Sequence, residues 1–111
     1  MPPYSCVPIK SCRSDLKNVV YLIVSTRGKK YVGITTRTLK HRMGQHREAI
    51  RAGHGDGQKF IDYYRRNNFE KATVQVLYKP RGGKVSQKLR QKEVEYIQEY
   101  DSMRNGLNSK L

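Results

Sequence analysis

The sequence has no tryptophan, only two cysteines and only nine acidic residues among its 111 positions. It contains no apolar run near the ~18 residues that a membrane-spanning helix needs, and its N-terminal segment lacks the apolar core of a signal peptide. These absences argue against membrane-embedded proteins and against secreted proteins built on disulfides. We therefore expect a soluble, intracellular protein with one small core, because this length suits a single domain.

The two cysteines, Cys6 and Cys12, both lie in the N-terminal segment. A disulfide between them is geometrically feasible, but nothing else in the sequence indicates an oxidising compartment. A zinc site would need two more ligands, and the only histidines are His41, His46 and His54. The cysteines are also more widely spaced than in common zinc-binding pairs. Two free thiols are the preferred interpretation.

Basic residues greatly outnumber acidic ones. Twenty-three Lys and Arg against nine Asp and Glu give a formal charge of +14, spread along the whole chain. Such a surface attracts polyanions, of which nucleic acid is the commonest large one, so we expect DNA as a partner. A charge that serves solubility alone is the less favoured alternative. No strongly amphipathic cationic helix supports a membrane partner.

Two segments rich in β-branched and aromatic residues, 19–25 and 30–35, predict a β-hairpin, with Gly28 suited to its tight turn. A three-residue loop at 27–29 would place Tyr21 and Tyr31 on one face and the aliphatic side chains on the other, whereas a two-residue loop would mix the faces.

This register pairs Ser25 with Tyr31 and Ile23 with Gly33. Gly33 then leaves room between the two tyrosines, where a ligand is able to approach the backbone.

The hairpin is followed by a predicted helix over residues 39–52, with Thr38 as its N-cap and Gly53 as its C-terminal stop. His46 lies along the apolar stripe of this helix, and Arg42 is its neighbour one turn earlier. Taken alone, this pair is best interpreted as a solvated arginine beside a half-buried structural histidine.

The rest of the chain predicts an extended N-terminal arm, two more helices and one more strand. The arm covers residues 1–18, the helices cover residues 58–67 and 86–100, and the strand covers residues 73–77. The expected fold is α+β: a small three-stranded antiparallel sheet, made of the N-terminal hairpin and one strand, flanked by about three helices. The domain itself is expected to span residues 19–111.

Glu93 stands on the core-facing line of the last predicted helix, four residues from both Leu89 and Ile97. A carboxylate aimed at a core is costly unless it is paired or binds a cation. An ion pair with a buried basic residue, such as Arg42, is the structural alternative to a metal site.

These features together resemble the GIY-YIG nuclease superfamily over residues 19–108. The family's two triplets, its Arg-x-x-x-His helix motif, its later glutamate and its final asparagine match Val19-Val20-Tyr21, Tyr31-Val32-Gly33, Arg42 with His46, Glu93 and Asn108, in that order. The first triplet departs from the family pattern, because Val19 stands where Gly is usual.

The resemblance implies a metal-dependent endonuclease that hydrolyses DNA, either free-standing or as the catalytic module of a mobile-element, phage or viral protein. Tyr21 would be the general base that activates water, with His46 in its proton path. Tyr31 would assist at the same phosphate, and Arg42 would stabilise the charge that develops there.

The metal and the edge of the site are expected to depend on two further residues. Glu93 would hold one divalent ion, Mg²⁺ or Mn²⁺, because only this carboxylate lies on a face that reaches the tyrosines, whereas two-metal sites need several. Asn108 would help to position a tyrosine or the substrate, although it also suits a simple turn closure.

Candidate substrate contacts surround these residues. Gly33 is a candidate for substrate contact through its backbone. The candidates for binding phosphate without sequence preference are Lys29, Lys30, Lys40 and Arg47. Some members of the superfamily carry a histidine near the substrate in the loop that here contains His54, although an ordinary surface histidine is the favoured interpretation.

Two other functions stay open. A basic nucleic-acid-binding protein without catalysis would use the tyrosines to stack on bases. A repair-type nuclease would recognise branched or damaged DNA. Because the chain carries no long DNA-reading appendage, an enzyme of this kind would act as a homodimer, depend on a separate DNA-targeting partner, or cut with low specificity.

Overall fold

The computed structural model describes residues 6–55, 57–82 and 84–109. The first five residues of the predicted arm, Asp56 in the glycine-rich loop, Gly83, and the last two residues of the predicted domain lie outside this part.

The protein forms an antiparallel four-stranded sheet with helices on both faces. The strand order is β1-β4-β2-β3. In chain order the elements are β1 (Val7–Pro8), β2 (Lys17–Val24), β3 (Lys30–Thr38), α1 (Leu39–Ala52), α2 (Gln58–Arg66), β4 (Thr73–Tyr78) and α3 (Val85–Tyr100). The α+β class and the flanking helices are confirmed, and the bounds of α2, β4 and α3 lie within one residue of those predicted.

The prediction of a three-stranded sheet is wrong, because the N-terminal segment supplies a fourth strand. β1 pairs with β4, Val7 lying opposite Val74. This strand has only two residues and includes Pro8, so it carries no alternating pattern that the sequence could reveal. Ile9, which follows it, is fully buried in the core. β1 and Ile9 therefore attach this part of the predicted arm to the sheet and the core.

The predicted hairpin register is also wrong, by two residues. The loop has three residues as expected, but it comprises 26–28, because the backbone of Ser25 pairs with Lys29. The Ser25 hydroxyl accepts hydrogen bonds from the Arg27 and Lys29 amides and closes the loop one residue early. Tyr21 therefore lies opposite Gly33 and not opposite Thr35. A shift of two preserves the faces, so the two tyrosines still share one side.

Each face of the sheet has its own core. Tyr21 and Ile23 point towards α1 and α2 and join the larger cluster of buried residues. Val20, Leu22 and Val32 point the other way and pack against α3. The sheet thus separates the tyrosine face from α3.

Helix α1 begins where β3 ends, with no loop between them. The Thr38 hydroxyl accepts a hydrogen bond from the His41 amide, and Gly53 takes the left-handed conformation at the C-terminal end with φ of 83°. The predicted bounds and both caps are confirmed. Because no loop intervenes, Arg42 in the first turn of α1 lies directly beside the end of β3.

Two findings bear on the expectations from composition. Both cysteines are free thiols, Cys6 exposed and Cys12 buried. Among the described residues, no helix has both the length and the apolar character needed to cross a membrane.

Candidate active site

Tyr21 occupies the centre of the sheet and lies over a glycine. Its side chain is fully buried. A Cβ atom added to Gly33 would lie only 2.4 Å from the Tyr21 hydroxyl oxygen. The space that Gly33 leaves is therefore filled by the phenol of Tyr21, which reaches across β3 towards α1. The expectation that this space lets a ligand approach the backbone is wrong on this face of the sheet.

The Tyr21 hydroxyl joins the two residues of the helix motif. It lies 2.8 Å from His46 Nε2, and Arg42 Nε donates a hydrogen bond to it over 3.3 Å. Burial, and then the charge of Arg42, lower the pKa of His46 to about 3. His46 is therefore neutral near pH 7. Since the hydroxyl already accepts from Arg42, the consistent arrangement is that Tyr21 donates its proton to Nε2.

Tyr21 is protonated at rest. Burial raises its pKa most, and the neighbouring phenol of Tyr31 raises it further. The charge and the hydrogen bond of Arg42 act in the opposite direction but do not overcome burial, and the carboxylate of Glu93 adds a smaller increase. A group with this pKa holds its proton unless a neighbour accepts that proton as another arrives.

Arg42 is half-buried and bound to neutral groups. Besides Tyr21, its Nη1 donates a hydrogen bond to Gln45 Oε1 over 3.0 Å. Burial lowers the pKa of Arg42, but interactions with the Tyr21 and Tyr31 hydroxyls outweigh it and the net change is upward. Within the described part of the chain, no carboxylate forms an ion pair with this guanidinium.

Tyr31 is the more accessible of the two tyrosines. It is half-buried, whereas Tyr21 is fully buried. Its ring centroid lies 6.4 Å from that of Tyr21, 5.7 Å from His46 and 4.5 Å from Phe60. The structure thus brings the four residues Tyr21, Tyr31, Arg42 and His46 into one cluster.

Glu93 is on α3, which covers the face of the sheet opposite to α1 and α2. Its charge still influences Tyr21. Its side chain is 14% exposed, and Arg90 Nη1 donates a hydrogen bond to its Oε1 over 2.6 Å. The partner that we considered, Arg42, does not make this ion pair. The carboxylate is nevertheless close enough to raise the pKa of Tyr21.

One carboxylate near the cluster, Glu93, is compatible with a single hard cation. Mg²⁺ is commonly held by one or two carboxylates, with waters and substrate phosphates completing its shell, and Glu93 is a mostly buried carboxylate near the cluster. Over residues 6–55, 57–82 and 84–109, no three His, Cys, Asp or Glu side chains gather into a metal cage. The donor set is that of a one-carboxylate site, with no protein cage.

Asn108 holds β3 in place from its open edge. Its side-chain oxygen accepts hydrogen bonds from the Val32 amide and the Ser102 hydroxyl, and its Nδ2 donates to the Val32 carbonyl. Next to it, Leu107 N bonds to the carbonyl of Lys30. Asn108 therefore acts on the backbone between Tyr31 and Gly33, and its contacts extend well beyond a turn closure.

The candidate phosphate-binding residues divide into two groups. Lys29 is exposed and Lys30 half-buried at the hairpin. Lys40 is mostly exposed, with a long 3.8 Å contact to the exposed Asp15. None of these three cations forms a short ion pair within the described residues, so all three stay candidates for phosphate contact.

Arg47 and His54 are not brought into the cluster. Arg47 forms an ion pair with Glu70, and its Nη2 also donates to the Ile9 carbonyl. Its guanidinium thus links α1 to two other segments. His54 is exposed beyond the C-terminal end of α1, and that end already lies about 9 Å past His46 along the helix axis.

Sequence reasoning missed two residues that support the cluster. Gln45 follows Arg42 by three positions, a spacing that makes side chains neighbours on a helix and so offered a signal. Ser102, almost fully buried, supports Asn108. No local pattern marked it, because its partner is defined only by the fold of the C-terminal segment.

The comparison with protein families agrees with this geometry. A family model described as the GIY-YIG catalytic domain matches residues 17–108. The match begins with the first residue of β2 and ends at Asn108, so it includes every member of the cluster. Comparisons with curated proteins and with solved structures gave no match. On the family match and the arrangement of its tyrosines, arginine and histidine, the chain belongs to the GIY-YIG family of nucleases.

Proposed function

We propose that the protein is a metal-dependent endonuclease that hydrolyses phosphodiester bonds in DNA. The observation that carries this proposal is the hydrogen-bonded set of Tyr21, His46 and Arg42. This set combines a proton path with a cation that no carboxylate among the described residues neutralises. Phosphodiester hydrolysis requires an activated water and stabilisation of charge on the phosphoryl oxygens. This set supplies both.

Tyr21 is the proposed general base, acting together with His46. A buried phenol with a raised pKa is a poor base by itself. Because neutral His46 lies 2.8 Å from the hydroxyl, the Tyr21 proton is able to move to Nε2 as the proton from the attacking water reaches the phenol oxygen. The pair thereby avoids an isolated phenolate in the core.

Arg42 is proposed to bind the phosphate that is attacked. A guanidinium carries five N–H donors, and those not used on Tyr21, Tyr31 and Gln45 are available to phosphoryl oxygens. Their hydrogen bonds strengthen as negative charge develops in the transition state. Tyr31, half-buried beside Arg42, is placed to donate to the same phosphate.

Glu93 is proposed to hold one divalent ion, Mg²⁺ or Mn²⁺. When bound, the ion would stabilise charge on the phosphoryl oxygens and on the leaving 3′ oxygen. Arg90 donates to one Glu93 oxygen, Oε1, so the ion would be held through the other oxygen. Asn108 keeps Tyr31 and Gly33 in position through the backbone of β3.

The competing function is a binding protein whose tyrosines stack on bases. Full burial of Tyr21 argues against this use, since a stacking residue must present its ring face to the nucleic acid. The hydrogen bonds of its hydroxyl also have no part in stacking. The proposed chemistry is compatible with a repair nuclease that acts on branched DNA and with a mobile-element enzyme. It is also compatible with a homodimer or a separate targeting partner.

Cleavage of supercoiled plasmid DNA tests the proposal. We expect nicked or linear product with Mg²⁺ or Mn²⁺ and none with EDTA. Glu93→Ala should bind DNA but not cut it, whereas Glu95→Ala, which removes an exposed carboxylate of the same helix, should cut like the wild type. Melting curves of both variants establish that they fold. Wild-type binding without cleavage in either metal would instead support the binding protein.

A further inference from the structure

An open groove of about 310 Å³ extends from the cluster along the end of β3. Its lining residues are Ile34, Thr35, Thr36, Arg37, Arg42 and Gln45. Arg42 belongs both to this groove and to the hydrogen-bonded cluster, so any ligand bound by Arg42 has the groove directly beside it. The volume lies at the lower end of the range for ligand-binding clefts.

The lining of the groove also includes a second arginine, Arg37, whose backbone is held in position. The buried Thr35 hydroxyl accepts a hydrogen bond from the Arg37 amide over 3.1 Å and donates to the Arg37 carbonyl over 3.4 Å. The side chain of Arg37 is exposed. Within the described residues no carboxylate pairs with it. Arg37 thus combines a fixed backbone with an exposed charge at the groove that no carboxylate of the described residues neutralises.

Gln45 also lines the groove, but its side chain already takes part in a hydrogen bond. Its side-chain oxygen accepts the hydrogen bond from Arg42. An amide in this state is poorly suited to reading a base edge, which requires its oxygen and nitrogen together. The lining therefore offers cations and hydroxyls, the groups that bind the phosphate backbone without reading sequence.

We propose that this groove binds the DNA strand next to the reacting bond, and that Arg37 binds the phosphate adjacent to the one on Arg42. The inference rests on the proposed function, because it assumes that DNA lies on Arg42. A strand carries a phosphate at every nucleotide, so a second cation beyond Arg42 meets the next negative charge. Arg37 then fixes the direction in which the strand leaves the site and increases affinity without taking part in the chemistry.

Binding of a short DNA duplex in EDTA, followed by fluorescence anisotropy over 50–200 mM salt, tests the contact without cleavage. Arg37→Ala is expected to weaken binding about tenfold and to reduce the salt slope by about one. The matched control is Arg51→Ala, which removes the same charge from an exposed residue in the last turn of α1, at the opposite end from Arg42. It should change the affinity less than about twofold. Equal weakening by the two variants would overturn the proposal.

The two proposals fail separately. A wild-type protein that binds the duplex but never cuts it in Mg²⁺ or Mn²⁺ contradicts the proposed hydrolysis, while the comparison of Arg37→Ala with Arg51→Ala still decides whether the groove binds DNA. Where cleavage occurs, Arg37→Ala should raise KM and leave kcat within about twofold of the wild type. A large fall in kcat with unchanged KM would show that Arg37 acts in the chemistry and would contradict its assignment to the neighbouring phosphate.

Discussion

Arg42 and Arg47 lie five positions apart on helix α1, yet their partners differ in charge. Arg42 binds neutral groups, the Tyr21 hydroxyl and the Gln45 amide oxygen, beside an open groove. Arg47 is paired with Glu70 and bound to a backbone carbonyl. A guanidinium that a carboxylate has already neutralised attracts phosphate weakly. The partner, and not the residue type or its helix, therefore separates a candidate catalytic arginine from a structural one.

The largest expected effect is on the rate of Arg42→Ala. Loss of a group that stabilises transition-state charge typically costs about 10²–10³ in kcat. The melting temperature should change little, because Arg42 is only half-buried and the Tyr21 hydroxyl keeps its hydrogen bond to His46. Plasmid cleavage rates and thermal melting of the same sample measure both quantities. If Arg42→Ala lost activity only because it unfolds, Arg42 would be a structural residue like Arg47.

Giving Arg42 a carboxylate partner, as Arg47 has, is expected to produce the next largest effect. Gln45→Glu would give Arg42 a carboxylate partner three residues away, much as Glu70 serves Arg47. We expect kcat/KM to fall roughly 10–100-fold, and to fall more than in Gln45→Ala, which removes the hydrogen bond without adding charge. Steady-state kinetics of both variants test this order. If the alanine variant is the worse of the two, neutralisation of Arg42 is not the cause.

Arg47→Ala should act on stability. Its hydrogen bonds tie α1 to Glu70 and to the Ile9 carbonyl, and hydrogen bonds to charged groups contribute about 1.5–3 kcal/mol in favourable cases. Since the pair is about a third exposed, we expect a loss of about 1–2 kcal/mol in the free energy of unfolding. Urea denaturation measures this loss. The cleavage rate per folded molecule should stay within about threefold of the wild type, and a hundredfold loss would contradict the structural role.

A further effect, visible only on acidification, concerns acid sensitivity through His46. Its pKa is 6.5 when unfolded and about 3 when folded, so between these pH values the unfolded chain binds more protons. The stability that neutral His46 contributes is present above pH 6.5 and is lost as the pH falls towards 3, at up to about 1.4 kcal/mol per pH unit. His46→Gln should flatten this dependence in unfolding experiments run from pH 7 to pH 4.

The same experiment separates the two arginines. The charge of Arg42 contributes to the lowered pKa of His46, so Arg42→Ala should raise that pKa and make stability less steep with pH. Arg47→Ala should leave the slope as it is. Identical slopes in the two variants would mean that burial alone sets the pKa of His46.

Local sequence signals were sufficient for much of the fold. The bounds of α1 followed from Thr38 and Gly53, because capping depends on a few adjacent residues. The shared face of the tyrosines followed from the two-residue period of a strand. The register did not, because the Ser25 hydroxyl decides where the loop closes. β1 carried no signal, since two residues with a proline make no pattern.

The site was predictable where a residue's own element directs it and unpredictable where a distant partner does. Helical periodicity placed Arg42 beside His46 and turned Glu93 towards the sheet. It could not show that Glu93 pairs with Arg90, or that Glu70, twenty-three residues from Arg47, makes that arginine structural. Arg47 was therefore expected to bind the phosphate. Arg37, whose side chain forms no ion pair in the described structure, was overlooked.

The most direct test of the proposed chemistry is the single-turnover cleavage rate of Tyr21→Phe on DNA that is already bound. The substitution removes one oxygen atom from a fully buried ring and leaves its packing over Gly33 intact. If Tyr21 passes the proton of water to His46, the rate should fall about 10²–10⁴-fold while DNA affinity stays near that of the wild type. Cleavage within about threefold of the wild-type rate would contradict Tyr21 as the general base.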